Sequence, residues 1–226
     1  MTRVKVYFKG LKNYIFKNNF DDHLSYLFHK KVCDLFEGTK FDNFKFFTFS
    51  DFTIENFNTI GENFLTKDGV ISFTISSIDE VFLRSLISRF IMGESLQFYD
   101  NKLVIDRLRF LPKPSFIGGK GSFVTISPIF LNNCVVTGNL GDILEDSLIN
   151  SYCQYFKLPQ CSFSCEFFSR NEHYGNYVTS EENDLFYNYY YNMDIVLRGS
   201  PELISFAYDV GLGNNNNQGF GMLDLY

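Results

Sequence analysis

The sequence has no tryptophan and, in 226 residues, only five prolines, three histidines and five cysteines. Five is an odd number. Cys33, Cys134, Cys153, Cys161 and Cys165 contain no C-x-x-C pair, and no pair of histidines is placed to complete a zinc site with Cys161 and Cys165. They read as reduced thiols of a cytosolic protein. A signal peptide is also lacking, because Met1 to Gly10 alternates basic and apolar residues, and no apolar run approaches the length of a membrane span. Neither secretion nor membrane insertion is expected, and a cytoplasmic location is. Acidic pairs such as Asp21-Asp22 and Glu181-Glu182 have no convergent ligands at coordination spacing, so neither metal nor cofactor is expected. Nor is there an excess of positive charge. A net charge of −6 argues against a general polyanion binder, whose affinity comes mainly from Lys and Arg, so any such site must be local.

What is abundant is apolar and aromatic. With 45% hydrophobic and 20% charged residues the chain can bury a substantial core, as one large domain or two small ones. The 28 Phe and 14 Tyr accompany a high Asn content, a pattern read as coding drift in an AT-rich genome, so core packing is favoured over base stacking as their use.

Arg3 to Lys9 alternates strictly, with Val4, Val6 and Phe8 on one face and charges on the other, which predicts a half-buried strand. Leu24, Leu27, Phe28, Val32, Leu35 and Phe36 recur at helical spacing, with Asp21 or Asp22 to cap the start and Gly38 past the end. Phe44 to Phe49 and Val70 to Ile75 predict two strands, and a second helix opens on a Ser77–Glu80 capping box, carries Phe82, Leu86 and Phe90, and stops at Gly93. A strand from Leu103 to Leu111 completes β-α-β-β-α-β, the ferredoxin-like or RRM-like arrangement.

From Phe123 the order repeats. A strand runs to Pro128, a helix spans Asp142 to Phe156, and strand material follows at Phe163 to Phe168 and Met193 to Leu197. A short helix opened by Ser200-Pro201-Glu202 and a strand from Gly219 to Tyr226 close the chain. The expected fold is α+β, with tandem ferredoxin-like domains at 1–114 and 115–226 and a cleft between two antiparallel sheets.

The most specific segment is Gly211-Leu212-Gly213-Asn214-Asn215-Asn216-Asn217-Gln218-Gly219-Phe220-Gly221. Glycines here permit positive φ and close approach of backbone N–H groups to phosphate oxygens. No strand–loop–long-helix unit follows, as a dinucleotide fingerprint would require, and no Gly-Lys-Ser/Thr is present for a P-loop. A Gly/Asn-rich hairpin turn is an equal reading of this segment alone. The ending Gly219-Phe220-Gly221-Met222-Leu223 nevertheless resembles the glycine-rich loop of the CRISPR-associated RAMP-superfamily endoribonucleases that process precursor guide RNA. Phe47-Thr48-Phe49-Ser50, Ser127-Pro128-Ile129 and Gly199-Ser200-Pro201-Glu202-Leu203 resemble other parts of that family in the right order. The resemblance implies tandem ferredoxin-like domains and metal-independent cleavage beside a CRISPR repeat RNA hairpin.

Such cleavage needs a base for the 2′-hydroxyl, an acid for the leaving 5′-oxygen and a cation for the growing charge. The family's catalytic histidine lies just past the first helix, where this chain has Phe36-Glu37-Gly38-Thr39-Lys40 and no histidine. That departure leaves a rearranged site or an inactive one. A family Tyr position late in the first helix corresponds to His29, and a family Lys before the following strand to Lys45. Tyr26 and His29, three residues apart, share a helix face, so the catalytic candidates are His29, Tyr26 and Lys45. His23, beside two aspartates, reads as a neighbour of the cap, and His173 lies in a polar stretch.

The RNA-binding candidates are Gly211, Gly213, Gln218, Gly219 and Gly221, with a basic cluster of Arg107, Arg109, Lys113 and Lys120 on the fourth strand and in the linker. Solvated charges beside Asp100 and Asp106 are the competing reading of that cluster. The expected partners are a CRISPR repeat RNA hairpin and other CRISPR effector subunits, with no membrane, the chain acting as monomer or homodimer. A non-catalytic RAMP-type subunit that holds guide RNA is the alternative favoured by the missing histidine. A third reading is a ferredoxin-like protein unrelated to RNA.

Overall fold

The computed structural model describes residues 2–10, 15–16, 20–60, 63–131, 139–159, 164–181 and 184–226, with side chains described outside 15–16, 20–23, 60, 63–64 and 171–192. The chain forms two compact units, Met1–Lys113 and Pro114–Tyr226.

The first unit runs β1 (Arg3–Lys9), β2 (Ile15–Phe16), α1 (Phe20–Phe36), β3 (Phe47–Phe49), β4 (Thr53–Ile54), β5 (Phe57–Ile60), β6 (Asn63–Thr66), β7 (Val70–Ser77), α2 (Glu80–Ile91), β8 (Leu96–Phe98) and β9 (Asn101–Phe110). Its main antiparallel sheet has the order β3-β7-β1-β9-β8, with β4 also on β7, and β2-β6-β5 form a small second sheet. Strand alternation places Val4, Val6 and Phe8 in one buried cluster with Leu24, Phe28 and Val32 of α1 and Phe82, Leu86 and Phe90 of α2. Phe28 stands at its centre, with ring centroids 4.7 Å from Phe73, 4.9 Å from Phe49 and 6.0 Å from Phe90. Much of the phenylalanine of this half is therefore spent on core packing. The second row of β1 departs from expectation, since Arg3 and Tyr7 are buried as well. For Tyr7 the cover is Arg107, whose guanidinium lies 4.1 Å above the ring.

Several boundaries move. α1 starts at Phe20, so Asp21 and Asp22 fall inside its first turn rather than before it. The expected Ser77–Glu80 box is replaced by Asp79, whose Oδ1 accepts from the Val81 and Phe82 amides at 2.8 and 2.9 Å. Ser77 ends β7, where its hydroxyl donates to the Phe46 carbonyl and accepts from the Asp79 amide. Only Phe47–Phe49 of the expected Phe44–Phe49 strand pairs, because a turn closes from the Phe44 amide to the Phe41 carbonyl. The hairpin strand β8, and β2, β4, β5 and β6, were not expected.

The second unit runs β10 (Lys120–Thr125), β11 (Ile129–Leu131), α3 (Leu140–Phe156), β12 (Glu166–Glu181), β13 (Asp184–Arg198), α4 (Pro201–Val210) and β14 (Leu223–Leu225). β13 pairs with β12 on one side and with β10, then β11, on the other, and β14 adds to β10. α4 starts as expected, with Pro201 in its first turn and the Ser200 hydroxyl accepting from the Leu203 amide at 3.2 Å. Its Leu203, Ile204, Phe206 and Ala207 are buried, as are Phe123, Ile195 and Leu197 of the sheet. α3 begins at Leu140, two residues before the expected Asp142, and is capped by Asn139. The closing strand is shorter than Gly219 to Tyr226 because residues up to Met222 belong to the glycine-rich loop.

In both units the four principal strands lie in the order second, third, first, fourth, with a helix after the first and third: the tandem ferredoxin-like α+β fold. Among the described residues no helix is long and apolar enough to cross a membrane.

Candidate nucleic-acid interface and catalytic face

α1 brings together two of the three catalytic candidates. Tyr26 is 54% exposed and His29 half-buried, three residues further along the helix. One turn later the exposed Cys33 has its Sγ 3.7 Å from His29 Nε2. Partial burial, with Asp34 and Asp42 adding, pushes the Cys33 thiol up, so it faces the imidazole as a neutral, weak partner. Lys45 is exposed in the segment leading into β3. The stretch where the resemblance puts a histidine is a tight C-terminal turn. There the Thr39 amide and hydroxyl both donate to the Phe36 carbonyl, at 3.0 and 2.7 Å, and the Gly38 amide donates to Asp42. His23 lies in α1 and His173 on β12, opposite Asn192, and both side chains fall outside the described ones. Among the described residues no three His, Cys, Asp or Glu side chains converge.

The basic cluster read from the sequence divides. Arg107 and Arg109 share the exposed face of β9, opposite Tyr7 and Lys5 of β1. Lys113 follows in the segment after β9, whereas Lys120 is not in a linker but begins β10, opposite Arg198. Arg107 is partnered by Glu55 at 3.8 Å and Asp106 at 3.5 Å. Glu55 also takes the Lys5 ammonium at 2.9 Å and the Ser72 hydroxyl at 3.2 Å. Hydrogen bonding from Lys5 chiefly, with Arg107 adding, holds the Glu55 carboxyl below the usual range. Lys5 was visible in the alternation of β1, but nothing local in the sequence tied Glu55 to it.

A comparable row crosses the second sheet, where Glu166, Arg198 and Lys120 lie side by side on β12, β13 and β10. Arg198 stands 5.1 Å over the half-exposed Phe168 ring. Neither residue was singled out in the sequence.

The glycine-rich loop is folded on the protein's own backbone. Gly211, Gly213, Gly219 and Gly221 all have positive φ, from 70° to 96°. A Cβ on Gly221 would collide with the Leu212 carbonyl oxygen, and one on Gly213 would lie 2.6 Å from that of Phe130. The amides of Leu212, Asn214, Gln218, Gly219 and Gly221 donate to the carbonyls of Gly221, Phe130, Asn215, Asn216 and Pro128. The Met222 amide donates to Ser127 Oγ at 2.9 Å. The glycines thus answer first to packing within the loop, while Gln218 is exposed.

No curated protein matches the chain by sequence. Solved structures do. A CRISPR associated protein Cas6 superposes with a TM-score of 0.82 at 20% identity, covering 100% of this chain and 99% of that one. An RAMP protein binding different RNA substrates gives 0.81 at 18%, covering 100% of both. A Cas6-related gene product from Pyrococcus furiosus gives 0.78 at 18%, covering 100% and 98%. At such identities the likeness speaks for the fold. Membership rests on sequence: residues 111–225, which contain the whole second unit but its last residue, match the profile of "CRISPR associated protein Cas6, C-terminal", and the chain belongs to that family.

Proposed function

We propose that this protein is a metal-independent endoribonuclease that binds CRISPR repeat RNA and cuts precursor transcripts into guide RNAs. The 2′-hydroxyl beside the scissile bond loses its proton to a base and attacks the adjacent phosphorus. The 5′-oxygen leaves with a proton from an acid, and a 2′,3′-cyclic phosphate and a 5′-hydroxyl result. His29 supplies one of these proton transfers, Tyr26 orients or protonates the reacting oxygens, and Lys45 balances charge on the phosphorane. The observation that carries the reading is the half-buried His29 three residues after the exposed Tyr26 on α1, in a chain of the Cas6 family. Arg107 and Arg109 offer phosphate contacts on the first sheet, and the exposed Gln218 and neighbouring glycine loop a second contact region.

Incubating labelled repeat RNA with the protein in EDTA tests this. Cleavage should persist, and a 2′-deoxy group at the cut site should abolish it. Cutting that needs a divalent ion, or that ignores the 2′-deoxy group, would refute the mechanism. Tight binding without cleavage would make the chain a non-catalytic guide-RNA-binding subunit.

A further inference from the structure

The outer face of the first sheet sets like charges side by side. Lys5 lies directly opposite Arg109 in the β1–β9 ladder, and Arg107, opposite Tyr7, is the next residue on the same face. Like charges directly opposed in an antiparallel pair repel, so this arrangement calls for an anion. Glu55 provides one. Its Oε1 accepts from Lys5 Nζ at 2.9 Å while its Oε2 lies 3.8 Å from Arg107 Nη2. Asp106 meets the guanidinium at 3.5 Å, on Nη1, and Asp68 is occupied by the Asn56 amide at 2.6 Å and the Val70 amide at 3.0 Å. Glu55 is therefore the carboxylate that joins the two cations. Arg109 has no ion pair among the described residues.

Three further facts make this position exchangeable. Glu55 lies between β4 and β5, so its side chain can rotate away without breaking a ladder. The pairs it makes are half-exposed, with side-chain exposures of 29% for Lys5, 36% for Glu55 and 57% for Arg107, and such pairs are weak and screened by salt. The Tyr7 ring, 4.1 Å from the Arg107 guanidinium, is a contact that does not depend on Glu55. A phosphodiester, with two free oxygens and release of its counter-ions, is the stronger ligand for that geometry.

We infer that Glu55 is a built-in counter-ion occupying the place of an RNA backbone phosphate between Lys5 and Arg107, and that repeat RNA displaces it to reach a phosphodiester cradle formed by Lys5, Arg107 and Arg109. The inference rests on the reading of the chain as a repeat-RNA binder.

Binding of uncleavable 2′-deoxy repeat RNA to wild type, Glu55→Gln, Arg107→Ala and the double variant over a range of salt tests it. Gln keeps the length of Glu and can still accept from Ser72, so the fold should hold, and equal melting temperatures check this. Glu55→Gln should bind about three- to tenfold more tightly at low salt, and this gain should shrink in the Arg107→Ala background. Arg107→Ala should weaken binding and lower the slope of log affinity against log salt by about one. Inorganic phosphate should compete no better than sulfate at equal ionic strength. Selective competition by phosphate would assign the cradle to a free anion and overturn the inference. So would equal or weaker RNA binding by Glu55→Gln when wild type binds well, without touching the proposed function. Wild type that fails to bind repeat RNA would remove the functional reading itself, and the inference with it.

Discussion

In the first unit the fourth strand of the ferredoxin-like sheet, β9, is ten residues long, whereas its counterpart in the second unit, β14, has three. The long strand is fixed by its ladder with β1 and by an aromatic core that includes Phe28, Phe49, Phe73 and Phe90. The short one is fixed by the loop before it, in which the Leu212 amide donates to the Gly221 carbonyl, Gly221 to Pro128 and Asn214 to Phe130, at 2.7 to 2.9 Å. Rings can be traded for other apolar groups of similar volume, but a glycine whose Cβ would strike a carbonyl cannot. Gly10 of the first unit meets such an obstacle singly, at the Lys102 carbonyl, whereas Gly211, Gly213 and Gly221 share one loop in the second unit, the one that matches the family profile.

The largest effect expected is in the ring core. Phe28→Ala should destabilise the first unit by about 3–5 kcal/mol, read as a shift in urea unfolding, because the surrounding rings cannot collapse onto the space. A loss below about 1 kcal/mol would mean that the core repacks and that the two units do not differ as described. Next comes Gly221→Val. With φ at 70° and the Leu212 oxygen in the way, it should cost about 2–4 kcal/mol or rearrange the loop, seen as lost amide protection around Met222 and Leu223. Gly38→Ala sharpens the contrast. Its φ is similar, at 67°, but open space surrounds it, so about 1 kcal/mol is expected. Equal costs at the two glycines would show that conformation alone matters and packing does not. Comparable in size, Asp79→Ala should cost about 1 kcal/mol in thermal unfolding by freeing the Val81 and Phe82 amides.

The sequence discloses elements whose pattern is local and hides arrangements that are not. β1, α1, α2 and α4 are readable because periodicity and capping residues lie within each element. β2, β4 and β8, of two or three residues, carry no period, and β2 and β4 pair with strands further along the chain, β6 and β7. The capping of α2 was misassigned by two residues because Ser77 and Asp79 both suit the role and only the end of β7 decides between them. At the site, alternation foretold the shared face of Arg107 and Arg109. Glu55, the counter-ion shared by Arg107 and Lys5, was invisible, because a residue between two short strands leaves no local signature of the pairs it makes. The glycine-rich ending was recognised, yet positive φ alone did not say whether phosphate or the protein's own carbonyls lie opposite.

The central claim is that an α1 imidazole performs proton transfer although the turn after the helix lacks one. The most direct measurement is single-turnover cleavage of labelled repeat RNA in EDTA by wild type and His29→Ala. The account predicts a rate lower by about 10²-fold or more with hairpin affinity nearly intact, since a general acid or base acts in the transition state. Unchanged cleavage by His29→Ala would contradict it.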